Sequence, residues 1–461
     1  MFLKTKIFIS ERIFLLRIID LMFLYLGLVF CNHFLGFTYI DLFQSFINKD
    51  ILTLFVYYFI TAQVFQMYDL VDASSRFKTV KNLFVVTLTT CLTYLYTPIL
   101  TPMLPKNRIE ILLFFLCVFF SVFIWRNIYI FTIAKKRFYK NALLICGDDQ
   151  ILESLFDNIY FHSRDNYITG YVKEMKTEGF EGFIDVQNTD LNQVIKQNKI
   201  KDLIVSLKGF SYHNAEQLNK KLIQYYAEGI TIHSYEDYIE KITFCVPEKH
   251  LSDSFYKYFS FSENHQNRLY LFSMRLFDIL ASILGLLFMI TIIPFVLIGN
   301  IVGSRGRLFY IQDRVGVEGR CFSIVKFRSM VTTAEVHGEQ WASMDDKRIT
   351  PFGKFLRKTR FDEIPQFWNV LKGEMSLIGP RPERPGFVKE LEEKIPLYAI
   401  RHSIKPGLTG WAQVMYPYAE SFDQQNKKLR YDLYYIKKRG WFIDFKILIK
   451  TINTVLYFKG Q

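Results

Sequence analysis

Two adjacent carboxylates, Asp362 and Glu363, stand between groups of cations, with Arg357, Lys358 and Arg360 before them and Arg381 and Arg384 after them. Arg381 sits in the turn Gly379-Pro380-Arg381-Pro382, where the prolines lock φ. These residue types suit the handling of phosphate. A guanidinium fork binds phosphate oxygens in pairs, and a carboxylate pair can supply both a nucleophile and a ligand for a hard divalent cation. Lys326 and Arg328 alternate with Phe327 as on a strand. They are further candidates for a substrate or lipid phosphate, with a solvated strand face as the alternative reading. An isolated Asp-Glu pair is ordinarily a solvated loop or helix cap, so the flanking blocks carry the argument here.

The elements that must position these groups are unusual in composition. The chain has 461 residues and a formal net charge of +13; half of it is apolar, and Phe alone supplies 46 residues. That combination points to a membrane protein whose basic parts meet anionic lipid or phosphorylated substrates. A nucleic-acid partner is not expected, because the basic residues lie beside apolar spans without a recognition helix, finger or RNP-like signature. The six cysteines show no CxxC spacing and the eight histidines no HxxxH pattern, so neither a disulfide framework nor a transition-metal centre follows. The first apolar stretch lacks a small-residue cleavage site and reads as a retained span.

Four apolar segments come first, near Phe14–Phe34, Ile51–Met67, Leu83–Leu100 and Ile109–Ile133, each close to the length that crosses a bilayer. The second and third are short and carry polar residues, so a buried or interfacial helix is their alternative. Lys4, Lys6, Arg12 and Arg17 precede the first segment and Lys135, Lys136, Arg137 and Lys140 follow the fourth. The positive-inside rule puts both flanks, and the connection holding Arg76, Lys78 and Lys81, in the cytoplasm. From Arg137 to Ile242 strand-like and helix-like segments alternate, which implies a parallel sheet. Its first turn reads Gly147-Asp148-Asp149-Gln150, a weak dinucleotide fingerprint, leaving nucleotide binding and a pure scaffold both open.

A fifth apolar stretch, Leu276–Ile298, contains Pro294, which removes a backbone donor and breaks the helix. A full crossing would put the basic segment after it, with Arg305, Arg307, Arg314, Arg320, Lys326 and Arg328, outside the cell. A re-entrant helix that returns to the cytoplasmic face avoids that conflict. The expected fold is therefore an α-helical transmembrane bundle (1–136), a cytoplasmic Rossmann-like α/β domain (137–247), a linker (248–267), a re-entrant membrane helix (268–301) and a mixed α/β catalytic domain (302–461).

From about Arg268 onward the chain resembles the bacterial polyprenyl-phosphate glycosyl-phosphotransferases that initiate exopolysaccharide on a lipid carrier. The matching blocks are Tyr310-Ile311-Gln312-Asp313-Arg314-Val315-Gly316, Val325-Lys326-Phe327-Arg328-Ser329-Met330, Asp362-Glu363-Ile364-Pro365-Gln366 leading into Trp368-Asn369-Val370-Leu371-Lys372-Gly373, Gly379-Pro380-Arg381-Pro382, and Lys405-Pro406-Gly407-Leu408-Thr409-Gly410-Trp411. The upstream layout is similar to the large-topology branch of that family. One departure is Gly306-Arg307, where relatives usually have Gly-Pro.

The resemblance implies a two-step transfer of sugar-1-phosphate from a UDP-sugar to undecaprenyl phosphate with release of UMP. In it Asp362 matches the nucleophile, Glu363 the residue that holds Mg²⁺, and Arg357 and Arg381 the arginines that contact phosphate. It also implies a homodimer, and a place in the bacterial inner membrane with the catalytic domain on the cytoplasmic face. The sugar is not legible. A membrane-anchored assembly or regulatory protein with an inactive transferase-like domain is the rival, against which the intact Asp362-Glu363 pair and both arginines argue. Arg384, His402 and Lys405 read as partners of the acidic run Glu390–Glu393, and Asp432 with Tyr434 and Tyr435 as packing at the membrane interface.

Overall fold

The computed structural model describes residues 9–40, 49–105, 107–134, 140–162, 166–248, 267–303, 306–334, 346–395, 397–416 and 421–456. Most of the linker expected at 248–267 lies outside the described residues, as do Lys4, Lys6, Lys135, Lys136, Arg137 and Arg305. Two compact units result, Met1–Tyr139 and Lys140–Gln461.

The first unit holds α1 (Ile9–Leu35), α2 (Lys49–Val64), α3 (Arg76–Leu95) and α4 (Arg108–Tyr129). Segments Arg12–Leu35 and Arg108–Thr132, together with Arg268–Gly303 in the second unit, are long and apolar enough to cross a bilayer. The 16 residues of α2 rise only about 24 Å at 1.5 Å per residue, and α3 is interrupted by Thr79, Thr87, Thr89, Thr90 and Thr93. Length and apolarity thus select three helices from five apolar stretches. Arg76, Lys78 and Lys81, placed in a connection by the sequence pattern, lie inside the first turns of α3. A buried ion pair ties α1 to α4, with Arg126 Nε donating to Asp20 Oδ1 at 2.9 Å and Nη1 to the Met67 carbonyl at 3.0 Å. Such pairing is what a low-dielectric setting demands of a charge.

The second unit opens with the alternating elements β1 (Lys140–Cys146), α5 (Asp149–His162), β2 (Asn166–Lys173), β3 (Phe183–Asp185), α6 (Leu191–Gln197), β4 (Asp202–Ser206), α7 (Tyr212–Ala227), β5 (Thr231–Ser234) and α8 (Tyr235–Thr243). The sheet is wholly parallel with order β3-β2-β1-β4-β5, and both its faces are covered by apolar clusters. Its order reverses between β1 and β4, where doubly wound sheets bind ligands. There the loops leaving the two strands meet backbone on backbone, so closely that a Cβ on Gly147 would lie 2.4 Å from the Gly209 carbonyl carbon. Glu174, at the end of β2, accepts from Ser211 N at 2.9 Å and Asn214 Nδ2 at 2.7 Å.

The chain then enters the C-terminal core. Cys245 and Val246 are 3% and 2% exposed within that core, and Val246 N donates to the Arg430 carbonyl at 3.2 Å. Here lie α9 (Arg268–Gly303), the antiparallel pair β6 (Phe309–Val315) and β7 (Cys321–Phe327), α10 (Pro351–Thr359), α11 (Phe367–Lys372), β8 (Ser376–Ile378), α12 (Pro385–Lys394), β9 (Gly407–Thr409), α13 (Trp411–Met415), α14 (Phe422–Lys438) and α15 (Trp441–Leu456). Pro294 lies within α9, whose helical assignment runs on to Gly303. Tyr270, Met274, Asp278 and Ser282 form one buried stripe along α9 at four-residue spacing, whereas Leu284, Leu287 and Ile290 stay exposed.

Both ends of α9 bond to the same folded body. Arg275 caps α11 through the carbonyls of Val370 and Leu371 at 2.7 and 2.6 Å, and Asp278 Oδ1 accepts from Leu377 N at 2.8 Å. Twenty-two residues later, Asn300 donates to the Gly306 carbonyl at 2.9 Å and accepts from Arg328 at 2.8 Å.

Candidate active site

Helix α10 aims the carboxylates. Thr350 caps its N-terminus, accepting from Gly353 N at 2.9 Å, with Pro351 at the first turn; this is a strong start signal. Gly353 presses onto β7's continuation, since a Cβ there would lie 1.9 Å from the Ser329 carbonyl oxygen. The helix stops at Arg360, a non-glycine residue in the left-handed region at φ 62°. That conformation costs on the order of 1 kcal/mol or more and persists where surroundings enforce it. The chain turns there into the 3-10 segment Phe361–Gln366, which presents Asp362 and Glu363, each 7% exposed.

Lys326, Arg328, Arg357, Asp362, Glu363 and Arg381 all line one cavity of about 1040 Å³. Three cations surround Glu363. Its Oε1 lies 2.5 Å from Arg381 Nη2 and 3.4 Å from Lys326 Nζ, and its Oε2 lies 3.7 Å from Arg360 Nη1. Burial by itself would raise this carboxyl, but Arg381, Lys326 and Arg360 outweigh it and hold Glu363 well below the usual carboxylate range. The balance is reasonable, because each cation at 4 Å attracts with about 4 kcal/mol at an effective dielectric near 20. Asp362 has the contrary surroundings. Its Oδ1 is buried without a hydrogen-bond partner among the described residues, and burial, reinforced by Glu363, pushes its carboxyl up to about 6. Burial also brings the Lys326 ammonium down to about 8, against the attraction of Glu363.

The remaining expected residues divide. Arg357 Nε donates to Ser329 Oγ at 3.0 Å, and burial lowers its guanidinium from the usual value. Arg328 lines the cavity but also ties β7's end to α9 through Asn300. Pro294 is not among the residues that line the cavity. Three neighbours received no site role from the sequence: Arg360, named there only among the flanking cations although its i,i+3 spacing to Glu363 could have flagged it, and the pair Glu383–Lys428 at 2.8 Å. His402 lies beside the acidic run, its Nε2 3.6 Å from Glu392, but burial and Arg401 lower its imidazole to about 4, so it stands there as a neutral ring and not as an ion-pair partner. Asp432, expected to pack and hydrogen-bond, is 1% exposed and paired with Arg401 at 3.0 Å, because a carboxylate on α14's buried face needs a cation.

Residues 269–458, which contain every one of these site residues, match the bacterial sugar transferase family. Over 190 residues the chain is 38% identical to an uncharacterized sugar transferase of Bacillus subtilis, a match covering 40% of this chain and 88% of that relative. The chain belongs to the bacterial sugar transferase family. It is 43% identical over 200 residues to a UDP-N-acetylgalactosamine-undecaprenyl-phosphate N-acetylgalactosaminephosphotransferase of Aeromonas hydrophila, covering 42% of this chain and 47% of the relative. An undecaprenyl-phosphate glucose phosphotransferase of Komagataeibacter xylinus is 36% identical over 189 residues, covering 40% of this chain and 36% of the relative. The matched stretch thus spans less than half the length of these last two relatives. The matched region begins at the first residues of α9 and ends two residues beyond α15. The α/β domain and the first unit lie outside it.

Proposed function

We propose that this protein transfers sugar-1-phosphate from a UDP-sugar to undecaprenyl phosphate, releasing UMP, to initiate exopolysaccharide, capsule or O-antigen synthesis. The observation that carries this reading is the contrast within one cavity: Asp362 keeps a buried oxygen with no hydrogen-bond partner among the described residues while Glu363 gathers three cations. Asp362 attacks the phosphorus next to the sugar, and the pyrophosphate P–O bond breaks with its electron pair leaving on UMP. The aspartyl phosphosugar is then attacked by an oxygen of the lipid phosphate, which breaks the Asp362–phosphorus bond and restores the carboxylate. Arg357, Arg381 and Lys326 stabilise the charge spread over the phosphoryl oxygens in both steps. Arg328, at the end of β7 and bonded to Asn300 of α9, is our candidate for the lipid phosphate.

The carboxylates also fit a hard divalent cation, because such a cation needs only one or two carboxylates beside substrate phosphates. Glu363, kept ionised at the cavity wall, would hold Mg²⁺ together with the substrate. The ion would neutralise charge on the pyrophosphate and improve the leaving group.

We read residues 1–136 as a four-helix membrane anchor in the bacterial inner membrane, α2 and α3 completing the bundle, with the following α/β and catalytic parts cytoplasmic. The α9 segment is read as re-entrant. A helix whose Asp278 and Asn300 both bond to one polar domain leaves that domain on one side of the bilayer, while exposed Leu284, Leu287 and Ile290 face lipid. A homodimer is part of the same reading, and sedimentation of the detergent-solubilised protein measures it. Incubating the purified protein with a panel of UDP-sugars and undecaprenyl phosphate tests the function. UMP release with at least one sugar, and a phosphosugar adduct on the Asp362 peptide by mass spectrometry, are expected; no UMP from any member of the panel overturns the reading.

A further inference from the structure

Arg381 reaches Glu363 from a turn that is held at the carbonyls of residues 380–383. The Pro380 carbonyl accepts from Gly407 N at 2.9 Å, the Arg381 carbonyl from Arg401 Nη2 at 2.8 Å, the Pro382 carbonyl from Arg314 Nη1 at 3.1 Å, and the Glu383 carbonyl from Val315 N at 2.9 Å. Four consecutive acceptors are therefore fixed by donors from β9, the 3-10 segment Tyr398–Ser403 and β6. Two of the turn's own residues are prolines, which have no donor to offer and a fixed φ.

The Arg381 carbonyl is the one bond in this set made by a fully buried charge. Arg401 is 4% exposed, and the same Nη2 lies 3.0 Å from Asp432 Oδ2, while its Nη1 donates to the Tyr398 hydroxyl. Asp432 and Tyr398 are each 1% exposed. Burying an arginine–carboxylate pair costs several kcal/mol of lost hydration, so such a pair is weak evidence for stability and apolar replacements are often no worse. What this pair supplies is a direction. Asp432 orients the planar guanidinium, and the guanidinium grips the main chain of the residue whose side chain holds Glu363.

We propose that Arg401 and Asp432 form a positioning pair that sets the Arg381 guanidinium against Glu363 and the substrate phosphate. Neither residue touches the cavity, and neither is a catalytic residue. This inference rests on the transferase reading above.

A double-mutant cycle read by UMP release tests it, with wild type as the control for that reading. In the wild-type background, Asp432→Asn lowers kcat/KM by about tenfold to a hundredfold, the scale of a displaced binding group, and Asp432→Glu restores part of the loss. In an Arg381→Ala background, Asp432→Asn has little further effect, because the group it positions is gone. Full additivity of the two losses overturns the proposal, since a purely structural role would act regardless of Arg381. If wild type releases no UMP from any sugar, the transferase reading fails on its own, and the same cycle is read by calorimetric binding of inorganic pyrophosphate to the cationic cavity. Loss of pyrophosphate affinity with Asp432→Asn that vanishes in Arg381→Ala supports the pair; additive or absent loss overturns it. Should Asp432→Asn lose its cooperative melting transition, Arg401→Lys replaces it in the cycle, keeping the charge beside Asp432 while losing the fork that spans both acceptors.

Discussion

Asp362 and Glu363 are neighbours in sequence with opposite electrostatic surroundings: Glu363 has Arg381 at 2.5 Å and two further cations, whereas Asp362 Oδ1 has no hydrogen-bond partner among the described residues. The 3-10 geometry of Phe361–Gln366 separates the two side chains. One carboxylate is thereby held as a fixed anion and the other is left available to react.

Replacing Asp362 by Asn removes the group that attacks phosphorus. UMP release should fall by several powers of ten, as loss of a nucleophile generally does, and the adduct on the Asp362 peptide should disappear. The thermal midpoint should stay level or rise, because a buried carboxyl, raised by burial and Glu363, gives way to a neutral amide. Near-normal UMP release from the purified variant would sink covalent catalysis.

The pH profile follows from two displaced groups. Asp362, raised to about 6 by burial and Glu363, is neutral and unreactive below that pH, so kcat/KM rises with pH through it. Lys326, lowered to about 8 by burial, loses its charge above that pH, so kcat/KM falls beyond it. A bell with limbs near these values is expected for the free enzyme, and Lys326→Arg should move the alkaline limb upward. An alkaline limb unchanged in Lys326→Arg would remove Lys326 from the site.

Excess EDTA should abolish wild-type UMP release, with recovery on adding Mg²⁺. Glu363→Gln should raise the Mg²⁺ concentration needed for half-activity by at least about tenfold, since hard cations prefer ionised oxygen ligands. Activity that persists in excess chelator would exclude a metal-held substrate.

Topology can be read with a native reporter. Cys321 is exposed, whereas the other five cysteines are buried. In intact cells Cys321, and a cysteine placed at the exposed Arg268, should both resist an impermeant thiol reagent and both react after lysis. Labelling of Cys321 alone in intact cells would show that α9 crosses the bilayer completely.

The chemistry of the site was legible in the sequence because its groups come in short ordered blocks. Asp362, Glu363, Arg357 and Arg381 lie within about two dozen residues, and caps such as Thr350 with Pro351 act locally. The parallel sheet was legible for a similar reason, since alternation of strands and helices leaves that solution. Residue order did not say which carboxylate would be neutralised. That depends on Lys326 and Arg381 arriving from β7 and from the proline-rich turn, and on the left-handed backbone at Arg360. The partner of Asp432 was not legible for the same reason: Arg401 is 31 residues away in sequence. A charge's state is set by burial and by neighbours in space, and both exist only once the chain has folded.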